Sequence, residues 1–163
     1  KQYQAPLYYL YSSMSLRDDL DNGESYYIVE IKAIKRILDN RKCRNGKILC
    51  FVDEVLRGTN TVERIAASSQ ILKSMSGENC LCFAATHDIE LTHLLEKDYR
   101  NYHFSEEIAD NDIFFSYKIQ SGRATTRNAI RLLGIMGYDD TIIQKAERMA
   151  GEFLKVGKWH ALD

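Results

Sequence analysis

A chain of 163 residues is one domain's worth, enough to bury roughly 70% of its unfolded surface. Its 45% hydrophobic and 28% charged residues are ordinary for a globular protein, and a net charge of −1 excludes a global basic field for gripping nucleic acid. No stretch reaches the ~18 apolar residues of a membrane span, and Lys1-Gln2-Tyr3-Gln4 does not resemble a secretion signal.

The first segment carries the only proline, Pro6, followed by an aromatic run, Tyr8-Tyr9-Leu10-Tyr11. Tyr11 to Leu16 is predicted to be a strand entering a sheet. The abrupt beginning, without a methionine, reads as that of a fragment. Arg17 to Ser25 is a polar loop feeding a helix over Tyr26 to Leu38. Tyr27, Ile31, Ile34 and Leu38 stand at i, i+4, i+7 and i+11, an amphipathic spacing. Asp21 and Glu24 fit a capping box, and periodicity alone describes an ordinary capped surface helix. Arg41 to Lys47 is a basic linker turned by Asn45-Gly46.

Ile48 to Val52 is an apolar run without alternation that ends in two carboxylates, Asp53 and Glu54. Such a run suits a parallel strand covered by helices on both faces. Ligands of such sheets gather at the carboxyl ends of the strands. Paired acids there suit nucleotide hydrolysis, one holding the water shell of Mg²⁺ and the other orienting and deprotonating the attacking water. The plainer reading is a core strand that stops in a polar turn. Arg57 to Thr61 is a short polar loop, and Asn60-Thr61-Val62-Glu63 reads as an N-cap with its glutamate three residues on. Val62, Ile65, Ala66, Ser69 and Leu72 give the following helix one small or apolar face as far as Gly77. A second apolar strand, Cys80 to Ala85, ends in Thr86-His87. If the two strands are neighbours, Asp53, Glu54 and His87 lie along one sheet edge, where a histidine suits phosphate sensing better than a core role.

Cys43, Cys50, Cys80 and Cys82 are the cysteines. A C-x-C pair with no second pair or histidines serves a metal poorly, so reduced core thiols of a cytoplasmic protein are expected. A short helix, Glu90 to Leu95, follows His87. Tyr99 to Glu107 and Ile113 to Gln120 read as two strands around Asp110-Asn111-Asp112. Thr126 to Met136 and Thr141 to Phe153 read as two helices joined at Gly137-Tyr138-Asp139-Asp140. Ile142, Ala146, Met149, Ala150 and Phe153 form an apolar stripe on the second, and the pair lacks the basic face of a DNA reader. A phosphate-cradling G-x-x-x-x-G-K-[ST] loop is absent. Gly151 to Lys158 has five intervening residues, Trp159 where a hydroxyl is needed, and a helix before it.

Val-Asp-Glu-Val-Leu-Arg-Gly-Thr-Asn-Thr (52–61) followed by Ala-Thr-His-Asp-Ile-Glu-Leu-Thr (85–92) resembles the ATPase domain of the MutS family of DNA mismatch-repair proteins. The family pattern is a Walker B strand ending in Asp-Glu, a Gly-Arg-Gly-Thr-Ser-Thr loop, then Ala-Thr-His with Glu-Leu-Thr behind it. Here Leu56 stands for the loop's first glycine and Asn60 for its first serine. Asp18-Asp19-Leu20 with Gly23, Ser25 and Glu30 resembles the family's signature loop, and Asn101-Tyr102-His103 its Asn-x-His strand. Phe104-Ser105-Glu106 matches a mismatch-probing F-x-E that belongs to a separate domain of the family, and is a chance match.

The resemblance implies an α/β fold, part of an ABC-type P-loop NTPase with a mostly parallel sheet flanked by helices and a C-terminal helix-turn-helix. Residues 1–125 would be the ATPase core without its Walker A loop, which in the family lies upstream, and 126–163 a helical dimerisation segment. It implies ATP and Mg²⁺ as cofactors, DNA as a partner through the full-length protein, a homodimer, and no membrane. Asp53 would hold Mg²⁺ through water, Glu54 would activate water and His87 would sense the γ-phosphate. Gly23 and Ser25 would complete the partner subunit's nucleotide site, with Thr59 and Asn60 in the loop that crosses the interface. The fragment alone is expected to be inactive without Walker A. Two rivals stand beside this reading: another ABC-type DNA-maintenance ATPase, SMC-like or a recombination-related MutS paralogue, and a non-catalytic dimerisation module.

Overall fold

The computed structural model describes residues 2, 4–14, 26–43, 46–109, 112–125 and 128–162. The chain forms two compact units, Lys1–Asn101 and Tyr102–Asp163. The first is a β-α-β-α-β run: β1 (Tyr8–Ser13), α1 (Tyr26–Cys43), β2 (Lys47–Asp53), α2 (Thr61–Met75) and β3 (Cys80–Ala85), closed by α3 (Ile89–Leu94). The three strands are parallel in the order β1-β2-β3, with Tyr11 opposite Cys50 and Cys50 opposite Cys82. β1 starts earlier than the predicted Tyr11, because the aromatic run itself has the strand-favouring side chains.

Parallel crossovers that advance in one direction put their helices on one face of the sheet. Ile34 and Ile37 of α1 and Leu72 and Met75 of α2 accordingly share one core with Ile48, Cys50 and Val52 of β2. Along β2 burial alternates, so the apolar run is covered on one face only. On the other face Leu10, Phe51, Leu81 and Phe83 are 67%, 37%, 45% and 54% exposed. The rings of Phe51 and Phe83, direct neighbours in register, stack there at 5.3 Å. Coverage by helices on both faces is therefore not what the described residues show.

The helices also turn differently from their predicted stripes. On α1 the inward positions are Tyr27, Glu30, Ile34 and Ile37, while Ile31 is 37% exposed. On α2 they are Ser68, Ser69, Leu72 and Met75, while Val62 is 79% exposed. The predicted cap of α2 is present: Asn60 Oδ1 accepts from Glu63 N–H at 3.0 Å, and Asn60 Nδ2 donates to Glu63 Oε2 at 2.7 Å. Arg41 donates to Ser76 O at 3.0 Å and Tyr99 Oη to Leu72 O at 2.8 Å, tying the end of α1 and the segment after α3 to the end of α2. Cys50 and Cys80 are buried free thiols 3.7 Å apart, and Cys82 is partly buried beside them.

The second unit contains two antiparallel pairs. β5 (Glu106–Ala109) pairs with β6 (Asp112–Phe115), and β4 (Tyr102–His103) with β7 (Gln120–Ser121). The predicted continuous strands are thus broken: residues 104–105 face 116–119, and the surplus on the second strand is taken up where Tyr117 adopts φ 52°. α4 (Ala129–Ile135) and α5 (Asp140–Val156) follow and pack on each other, joined through Gly137 at φ 80°. Gly151 lies inside α5, which removes 151–158 as a phosphate loop. Among the described residues no helix is long and apolar enough to cross a membrane.

Candidate functional site

The carboxyl ends of β2 and β3 are adjacent because Asp53 pairs with Ala85. Beyond that pair the chain turns sharply, with Glu54 at φ 51° and Leu56 at φ 59°, left-handed conformations that non-glycine residues seldom take. The turn presents Glu54 to a cleft of about 150 Å³ lined by Glu54, Val55, Arg57, Arg64, Thr86, His87 and Asp88. The space is that of a few water molecules, taking ~30 Å³ for each.

Glu54 is the centre of this cleft. Its Oε2 lies 2.9 Å from Arg57 Nε and its Oε1 3.4 Å from His87 Nε2, with 22% of the side chain exposed. The His87 side chain is 95% exposed and that of Arg57 66% exposed. Polar contacts so open to water hold weakly, so an entering anion can take Arg57 and His87 for itself. Asp53 ends β2 on the open face of the sheet, exposed. Among the described residues no group of three metal-ligating side chains occurs.

Sequence reasoning missed the frame around His87. Arg64, on the first turn of α2, makes two hydrogen bonds to Asp88, Nε to Oδ2 at 2.8 Å and Nη2 to Oδ1 at 2.6 Å. Such a forked pair fixes direction as well as distance. Asp88 N–H donates to Thr86 Oγ1 at 3.0 Å, so both neighbours of His87 are tied down. The partners are 24 residues apart on separate elements, and no local pattern announces them. Glu30 was also missed as a neighbour of this turn. It is 3% exposed, and one of its carboxylate oxygens accepts the Leu56 N–H. Its pKa is raised by burial, against the pull of the Leu56 and Arg57 N–H groups, with the charge of Glu54 adding to the rise.

The structure thus brings Glu54 and His87 together, with Asp53 at the end of the same strand. Thr59 and Asn60 lie beside the cleft residues in sequence and both turn toward Glu63, Thr59 Oγ1 at 3.4 Å. Gly23 and Ser25 lie outside the described residues. A carboxylate beside an open cleft, flanked by an imidazole and a guanidinium, can take a proton from water while the ring N–H and the guanidinium face a phosphate.

The sequence model of MutS domain V matches residues 4–154. The DNA mismatch repair protein MutS of Aquifex pyrophilus is 32% identical over 146 residues, which are 88% of this chain and 17% of that protein. The chain therefore spans about a sixth of the length of that relative.

Proposed function

The chain belongs to the MutS family, and from that premise we propose that it is the hydrolytic part of an ATPase domain serving DNA mismatch repair. The observation that supports this most directly is Glu54, held between Arg57 and His87 at the carboxyl end of a parallel strand and open to a water-sized cleft. In this reading the fold is part of an ABC-type P-loop NTPase, and the phosphate loop comes from residues outside this chain. Residues 1–125 form the ATPase core, and α4 and α5 belong to a helix-turn-helix segment, 126–163, that meets a second copy.

Glu54 takes the proton of the attacking water from its place on the cleft wall. His87 and Arg57 face the γ-phosphate and exchange their contact with Glu54 for one with the phosphate oxygens. Arg64 and Asp88 keep the His87 segment in place while that exchange occurs. Asp53 suits a hydrated Mg²⁺, which commonly uses one or two carboxylates, several waters and substrate phosphates, and such an ion supplies charge compensation for the phosphates. Ser25 and Gly23, before α1, donate to the partner subunit's nucleotide, and Thr59 and Asn60 belong to the loop crossing between subunits. The full-length protein then couples ATP binding and hydrolysis to mismatched DNA as a homodimer.

Glu54→Gln in the full-length protein is the test. It keeps size and hydrogen bonding but removes the base, so ATP should bind normally while turnover falls about 10²-fold or more. Unchanged turnover would refute the role given to Glu54, whereas a full-length protein that turns over no ATP at all would favour a non-catalytic dimerisation module.

A further inference from the structure

The turn that carries Glu54 is held at three consecutive residues by three different elements. Glu54 N–H donates to Ala85 O at 2.9 Å, extending the β2–β3 ladder one step past the strand. Ser68 Oγ, buried on α2, donates to Val55 O at 3.0 Å. Leu56 N–H donates to Oε1 of Glu30, which reaches across from α1.

The third anchor is the unusual one. Glu30 is 3% exposed, and its Oε2 is buried without a hydrogen-bond partner. A buried carboxylate with one oxygen unmatched opposes stability, and an aliphatic residue on that face of α1 would not carry this cost. The turn it meets is itself unfavourable, since Leu56 is a bulky residue at φ 59°. Such a conformation persists only where the surroundings over-determine it. Burial of the Leu56 side chain supplies one constraint and the bond to Glu30 the other. One turn earlier on α1, Tyr27 lies so close to the loop that a Cβ on Gly58 would stand 3.2 Å from Tyr27 Cβ. α1 therefore braces the loop at both 56 and 58.

We propose that Glu30 is a positioning residue for hydrolysis: by holding the Leu56 N–H from α1, it fixes the left-handed turn that aims the Glu54 carboxylate into the cleft. The inference rests on Glu54 being the base. What the Leu56 N–H requires is an acceptor oxygen at the right reach, charged or not. Burial already raises the Glu30 pKa, so an uncharged oxygen is compatible with the place.

Two variants of the full-length protein separate reach from charge. Glu30→Asp keeps the charge and withdraws the oxygen by one methylene, whereas Glu30→Gln keeps the reach and an oxygen. The dissociation constant for Mg-ATP and the single-turnover hydrolysis rate are measured for each. Glu30→Asp is expected to slow hydrolysis roughly tenfold or more, because small misplacements of a reacting group are costly, while the dissociation constant moves less than about twofold. Glu30→Gln is expected to retain most of the rate. On a Glu54→Gln background Glu30→Asp should add no further loss, since the aim of an absent base has no consequence.

A wild-type rate for Glu30→Asp beside an inactive Glu54→Gln overturns this inference alone. Equal slowing by the Asp and Gln variants, or the same loss on both backgrounds, also overturns it, since a merely structural role predicts both. A wild-type rate for Glu54→Gln removes the premise and the inference together.

Discussion

Every buried apolar side chain among the described residues lies in the first unit, from Ile34 on α1 to Leu95 after α3. Among the described residues from 102 to 162 none is buried. The first unit closes a core with two crossover helices and a short third one, and its site is braced by that core through Ser68 and Glu30. The second has aromatic hairpins and an amphipathic α5, yet Phe114, Tyr117, Ile142 and Leu154 are 54%, 84%, 51% and 61% exposed. Apolar side chains left this exposed suit association. In the proposed dimer the first unit supplies chemistry and the second supplies contact, so damage to each should read out differently.

The largest contrast should come from one substitution made twice. Ile37 is 0% exposed, and Ile37→Ala is expected to cost about 2–5 kcal/mol, the lost transfer energy plus the cavity left behind. Ile142 is 51% exposed, and Ile142→Ala should change stability by no more than about 0.5 kcal/mol. Urea unfolding of the chain measures both. A comparable loss at the two positions would mean that α5 has a core of its own.

The helix caps give a smaller contrast. Asn60 caps α2, which contributes Leu72 and Met75 to the core, so Asn60→Ala should lower global stability by about 1 kcal/mol. Asp139 caps α5 by accepting from Thr141 N–H at 2.8 Å, but α5 has no buried residue. Asp139→Ala should therefore appear mainly as faster amide exchange in the first turn of α5, with the core amides of β2 unchanged. Faster exchange of the β2 amides or a global loss of stability from Asp139→Ala would mean that α5 contributes to global stability despite having no buried residue.

The same two helices show what sequence can carry. β3 at Cys80–Ala85 and the Asn60 cap were legible to the residue, because an apolar run bounded by turns and an Asn-x-x-Glu pattern are local signals. The nearness of Glu54 to His87 also followed from two strands ending together. Hydrophobic periodicity put Ile31 in the buried stripe of α1, where the structure puts Glu30. There its carboxylate meets an N–H 26 residues away, and spacing within the helix does not contain that information. The bare face of the sheet was hidden for a related reason: an apolar run shows that a strand avoids water, not how many of its faces are covered. The stripe on α5 was visible in the same way, and periodicity again could not say what covers it.

The last and smallest contrast is in pH. Glu30 has a folded-state pKa raised above 4.5 by burial, so the folded chain keeps this proton at pH values where the unfolded chain has released it. Its contribution is fully present below 4.5 and is lost as pH rises through the raised pKa. Asp139 has the opposite sign, because the Thr141 hydroxyl and N–H donate to its carboxylate and hold its pKa below 3.8. Its contribution is fully present above 3.8 and is lost as pH falls through the lowered pKa. Asp139 stands in water, so screening makes its share the lesser one. Unfolding free energies measured across roughly pH 2 to 8 should separate the two groups. Glu30→Gln should flatten the decline above 4.5 and leave the acid limb intact, whereas Asp139→Asn, which still caps, should do the reverse. If Glu30→Gln leaves the upper limb unchanged, the carboxylate is solvated in solution, and the bond that braces the Glu54 turn from α1 is not formed.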